Sequence, residues 1–142
     1  MFKLHSQLAA DCVHIGDFPL SRLLMMNDSQ YPWCILVPRV CDVTEIFQLD
    51  YKDQQRLSAE SALLSRLLCS TFSADKMNIA ALGNVVSQLH VHHVVRYRTD
   101  AAWPAPVWGR LPVKPFAGED LEVRLTQIKQ MLPSGFKFAE QV

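Results

Sequence analysis

The chain lacks an excess of charge of either sign: across 142 residues, 14 Lys and Arg balance 14 Asp and Glu. No broad basic face for nucleic acid is expected, because phosphate backbones are gripped by clustered cations. A small phosphate site stays open, since it needs only a few donors. Long apolar runs are missing as well. Nothing approaches the ~20 residues that a bilayer-spanning helix requires, so no membrane partner is expected. The start of the chain, MFKLHSQLAADC, has no uninterrupted apolar stretch of the signal-peptide kind. The expected compartment is therefore the cytoplasm. The cysteines, Cys12, Cys34, Cys41 and Cys69, contain no CxxC pair, which excludes zinc-knuckle and thioredoxin spacings and points to reduced thiols. There is no internal repeat and no low-complexity tract. What is left, 49% apolar and 20% charged residues, is ordinary for one globular domain able to bury a core.

Residues 12–18 (CVHIGDF) and 20–26 (LSRLLMM) read as two strands split by Pro19, and Asn27-Asp28-Ser29 reads as a turn. WCILV at 33–37 is a continuous apolar run, the mark of a buried strand, and Pro38 stops it. From Asp50 to about Ser70 the chain looks helical. Leu57, Leu64, Leu67 and Leu68 share one face, Leu63 widens it, and Asp50 is a suitable N-cap. KMNIAAL (76–82) reads as a strand leading into a Gly83-Asn84 turn, and residues 88–97 read as the best strand of the chain. Between residues 100 and 116 come Pro104, Pro106, Pro112 and Pro115 with Trp103 and Trp108, which predicts an irregular, aromatic-packed segment. Leu121, Leu125, Ile128 and Leu132 predict a last helix over 119–132, ended by Pro133. Strands in adjacent groups with segregated helices predict an α+β fold.

Three of the five histidines, His90, His92 and His93, fall within four residues. In a strand alternate side chains share a face, so Gln88, His90 and His92 are expected on one side and His93 on the other. Side chains two apart stand roughly 6.5–7 Å from each other, so one substrate group can reach both rings. The arrangement admits three readings. The rings are packed without chemistry; or they give two ligands to a metal whose third comes from His14, Cys41 or a distant carboxylate; or one imidazole is a nucleophile, as the free base is able to be near neutral pH.

The stretch Gln88-Leu89-His90-Val91-His92-His93-Val94-Val95 resembles the signature of the histidine triad (HIT) family, in which three histidines alternate with apolar residues. Gln88 stands at the first histidine and His93 at an apolar position. Further landmarks agree: Asn27-Asp28, Tyr31-Pro32-Trp33, ILVPR at 35–39 and NIAALGN at 78–84. The resemblance spans roughly residues 15–100. It implies an α+β HIT-like domain over 1–100, with about five antiparallel strands and one long packed helix. An extension over 101–142, containing a helix, would pack on that domain. It also implies hydrolysis or transfer at the α-phosphate of a nucleotide conjugate, such as a dinucleoside polyphosphate, a nucleoside phosphoramidate or an adenylylated molecule. No cofactor and no metal are called for, and a homodimer is implied. His90 matches the nucleophile, and His92 a phosphate donor or orienting group. Asp28 matches a ribose-binding acid, Asn84 and Ser87 are phosphate-binding candidates, and Leu24 and Met26 are candidates to wall the base pocket.

Gln88 and Cys41 depart from the family pattern. Glutamine can accept and donate hydrogen bonds, which keeps Gln88 among the catalytic candidates as an orienting group for the neighbouring ring, but it cannot titrate. Those two positions keep a second reading open, a nucleotide-binding or regulatory protein with little turnover. His93 is expected to be structural or at an interface. Trp103 and Trp108 are expected under the proline-rich segment, with base stacking and a dimer interface as alternatives.

Overall fold

The structure, a computed structural model, describes residues 1–140. The final two residues of the expected 101–142 extension lie outside the described ones. The elements are α1 (Ser6–Asp11), β1 (Cys12–Asp17), β2 (Ser21–Met26), β3 (Trp33–Pro38), α2 (Tyr51–Phe72), β4 (Lys76–Ala80), β5 (Val91–Arg96), α3 (Asp120–Met131) and β6 (Lys137–Phe138). The strands form one antiparallel sheet in the order β4-β5-β3-β2-β1-β6. The α+β class is as expected, with six strands instead of about five.

Both faces of the sheet are covered, which explains why β3 is apolar throughout and buried at every position. Cys34 and Leu36 face one way, with Leu23 and Met25 of β2, into a core shared with Leu64 and Leu68 of α2. Leu125 and Ile128 of α3 join that core. Trp33, Ile35 and Val37 face the other way, into a second cluster with Leu8 of α1, Tyr31 and Val107. The parity carries across to β5, where Val95 belongs to the first core and Val94 to the second. His93 therefore points at α2, and His92 at the opposite face.

Local chemistry sets the element ends. The Asp50 carboxylate accepts from the Asp53 amide at 2.8 Å and starts α2. Ser73, in the left-handed region at φ 50°, ends it, its amide returning to the Cys69 carbonyl. One expectation needs correction. The strand read over 88–97 pairs only from Val91 to Arg96, so Gln88, Leu89 and His90 lie in the irregular approach to it. Helix α1 and strand β6 were not foreseen at all. Among the described residues no helix is long and apolar enough to cross a membrane.

Candidate active site

The face of the sheet away from α2 carries a cavity of about 420 Å³. Strands β3 and β5 supply its floor, α1 one wall, the 82–86 turn a second and the 107–113 segment a third. His90 and His92 lie side by side in it, with ring centroids 4.9 Å apart.

Hydrogen bonds fix the protons on both rings. His90 Nδ1 lies 2.6 Å from the main-chain carbonyl of Gln88. A carbonyl only accepts, so Nδ1 carries the proton and the lone pair sits on Nε2. His92 is set the other way round. The Trp33 indole N–H donates to its Nδ1 at 3.0 Å, so the neutral ring carries its proton on Nε2. Burial, with the neighbouring His90 and His93 rings, pushes the His92 pKa down to about 3. The pair thus presents one acceptor nitrogen and one neutral N–H donor.

The flanking residues separate into those that reach the cavity and those that do not. Asp28 is buried and lines it, while its Oδ1 accepts from the Gln30 amide at 3.0 Å and the Gln30 carboxamide at 3.1 Å. Asn84 and Met26 line it as well. Leu24 instead packs inside the second core cluster. Ser87 lies outside the main cavity, in a neighbouring one of about 350 Å³ with Lys3, His5, Thr44 and Gln88. The Gln88 side chain does not line the main cavity. Its Nε2 donates to the Lys3 carbonyl at 2.9 Å, and its Oε1 accepts from the His5 amide at 2.9 Å. Cys41 is exposed and does not line the cavity. His93 is fully buried on the other face, its Nδ1 donating to the Val91 carbonyl at 3.0 Å and its Nε2 accepting from the Ser61 hydroxyl at 2.7 Å. Burial pushes its pKa down to about 4. Among the described residues no group of three or more His, Cys, Asp or Glu is placed to hold a metal ion.

Some contributors escaped the sequence reading, and Trp108 was foreseen at the site only as an alternative. Trp33 was a landmark there, not the partner of His92. Trp108 lines the cavity, its ring 5.3 Å from His92 and 6.0 Å from Trp33. Arg96, 1% exposed, holds the loop that delivers it. The Arg96 guanidinium donates to Asp100 at 2.7 and 3.0 Å, to Asn78 at 2.7 Å and to the Ala105 carbonyl at 2.8 Å. Trp103 lies half-buried against the same guanidinium, 5.5 Å from it. The next stretch is strapped over the Asn27–Gln30 turn. Ser29 and Gln30 donate to the carbonyls of Lys114 and Pro112, and Asn27 accepts from the Phe116 amide. Leu111 and Val113 are thereby brought to the cavity rim. In the sequence, an arginine followed by Asp100 at i+4 was the one available signal for this hub.

The site of this α+β protein is thus a ligand-sized cavity in which His90, its Nδ1 engaged by a carbonyl, lies beside the N–H that His92 presents. The HIT domain family model matches residues 7–99. A histidine triad protein from Marinobacter aquaeolei VT8 is 48% identical with a TM-score of 0.90, over 93% of this chain and 96% of that one. One from Bradyrhizobium japonicum is 43% identical with a TM-score of 0.88, over 92% and 97%. One from Sinorhizobium meliloti 1021 is 40% identical with a TM-score of 0.89, over 92% and 97%. No curated protein matches the chain. The chain belongs to the HIT domain family of nucleotide-binding hydrolases and transferases.

Proposed function

We propose that the protein cleaves nucleotide conjugates at the α-phosphate through a nucleotidyl-histidine intermediate on His90. The observation that carries this reading is the bond from His90 Nδ1 to the Gln88 carbonyl, which commits the ring's lone pair to Nε2. In the first step Nε2 forms a bond to phosphorus, and the bond from phosphorus to the leaving group breaks with its electron pair. In the second, water attacks phosphorus and the P–N bond breaks, releasing a nucleoside monophosphate and restoring the ring. Charge on the phosphoryl oxygens is met by neutral donors, chiefly the His92 Nε2–H, with Asn84 at the rim; among the described residues no Lys or Arg lines the cavity. Asp28 is assigned to the ribose hydroxyls, and Met26, Trp108 and the 82–86 turn to the base. The reaction is proposed to be independent of metal.

The test is hydrolysis of an adenosine phosphoramidate and of a diadenosine polyphosphate by the parent and by His90→Ala. The expected result is turnover of at least one conjugate, unaffected by EDTA, and a loss of at least ~10³-fold in the variant. Tight AMP binding with no turnover of either conjugate would favour the regulatory reading.

We also propose a homodimer. Strand β4 ends the sheet with an unpaired ladder edge, and Ile79 on it is 51% exposed. Joining two such edges about a two-fold axis would cover both. Sedimentation at micromolar concentration should give twice the chain mass, and a monomer would contradict it.

A further inference from the structure

The residue in the place of the family's first histidine is occupied twice over, by its main chain and by its side chain, and the two point to different partners. The carbonyl of Gln88 takes the proton of His90 Nδ1. The carboxamide takes both hydrogen bonds of a backbone clasp, from the His5 amide and to the Lys3 carbonyl, across more than eighty residues of sequence. Each end of the amide meets a partner of the right polarity, so the clasp is specific to a carboxamide of this length. The clasped segment leads directly into α1. His5 is the residue before that helix, and its imidazole Nδ1 accepts from the Gln7 amide at 3.0 Å. Helix α1 then lays Gln7, Leu8 and Asp11 along the cavity. Six residues of helix do not hold themselves in place. Leu8 is buried, Phe2 and Leu4 are half-buried against the same cluster, and the Asn27 amide donates to the Asp11 carbonyl at the far end of α1; the clasp holds the segment ahead of the helix.

We propose that Gln88 is a positioning residue for the nucleotide pocket: its carboxamide fastens the N-terminal arm, and so fixes the α1 wall, while its main-chain carbonyl orients His90. The proposal rests on the reading of His90 as nucleophile and deepens it. It assigns substrate fit to the side chain at position 88 and ring orientation to its backbone. A side chain without titration suffices there, because the proton on Nδ1 is held by a peptide carbonyl that any residue supplies.

The test compares the parent with Gln88→Ala, His5→Pro and the double variant. Proline at residue 5 removes the amide that donates to Gln88, at a φ of −57° that suits it, and His5→Ala, which loses only the imidazole cap on the Gln7 amide, is the reference against which His5→Pro is read. Hydrogen exchange of the full chain, which needs no substrate, should show the amides of α1 opening about tenfold more readily in either single variant. The double variant should add little to either, as expected of one shared interaction. With the conjugate that the parent turns over, KM should rise about tenfold while kcat changes less than about threefold. Unaltered exchange in α1, or additive effects in the double variant, would overturn the clasp. A hundredfold or greater fall in the turnover rate, with KM constant, would instead put the carboxamide in the chemistry. If no conjugate is turned over, His90 loses its role, and the exchange result still decides whether the clasp holds the wall.

Discussion

At the residue scale, the site depends on which nitrogen of each ring holds a proton. Trp33 and the Gln88 carbonyl settle that question for His92 and His90, respectively. With its pKa pushed down to about 3, His92 stays neutral throughout the physiological range, so its Nε2–H is a donor without a full charge. Nitrogen NMR of the parent should show His92 as the Nε2–H tautomer, with no titration between pH 7 and pH 5. A ring that titrates in that interval would contradict the assignment. Trp33→Phe keeps an aromatic ring over the cavity but removes the indole donor. It should lower kcat/KM about tenfold, near the worth of one buried hydrogen bond, and let His92 exchange between tautomers. The alternation of His90 and His92 was legible from the sequence because period-two spacing is a property of extended backbone. The direction of the Gln88 side chain was not, because it depends on a contact with residues 3–5 that no local pattern encodes.

At the element scale, what could be read was what shows periodicity. Helix α2 declared itself through Leu57, Leu64 and Leu68 and through its Asp50 cap. Strand β3 declared itself as an apolar run because a helix layer covers one face and the site cluster the other. Helix α1 and strand β6 show no such pattern, being short and held by partners distant in sequence. Strand β6 depends on Gly16. A Cβ at that position would run into the Lys137 main-chain oxygen and the Phe136 ring. Gly16→Ala should therefore cost roughly 1–3 kcal/mol by overpacking, read from urea unfolding, with the loss of β6 pairing seen by amide exchange. Unchanged stability would show that β6 contributes nothing there. The segment between residues 100 and 116 was foreseen only as irregular and aromatic-packed, although the buried Arg96–Asp100 ion pair organises its start. Burial works against the Asp100 charge, but hydrogen bonds from Arg96 and from the Tyr97 and Trp103 amides win and hold its carboxyl below the usual range. Asp100→Ala leaves the Arg96 guanidinium buried without its counter-charge. The expected cost is about 3–5 kcal/mol, with a shift in Trp108 fluorescence as the loop leaves the cavity. A small cost with an unshifted spectrum would contradict the hub.

At the scale of the whole molecule, two buried neutral histidines couple folding to pH. An unfolded chain binds protons on histidine near pH ~6.5, whereas the folded chain resists protonation of His92 down to about 3 and of His93 down to about 4. On these two rings the unfolded state therefore holds more protons between those values, so they make stability rise with pH across the interval, against a smaller opposite contribution from the single Glu60 carboxyl, which burial pushes up. The contribution of the rings is fully present above about pH 6.5 and is lost as pH falls toward 4, by up to ~1.4 kcal/mol per unit for each ring. Asp17 and Asp100, whose carboxyls are held low, lose their share only further down. Urea midpoints should fall steadily from pH 7 to pH 4.5, and His93→Gln should flatten the slope whatever it does to the midpoint. A midpoint that is level or rises on acidification would mean that the rings are not buried in neutral form.

In the proposed reaction His90 Nε2 is the attacking atom, and mass spectrometry of a quenched single turnover observes that atom's product directly. Parent protein mixed in excess with an adenosine conjugate and quenched in alkali, where a phosphoramidate bond survives, should carry one adenylyl group. Peptide mapping should place it on His90, and His90→Ala should stay unlabelled. A label on any other residue, or equal labelling of the variant, would contradict it.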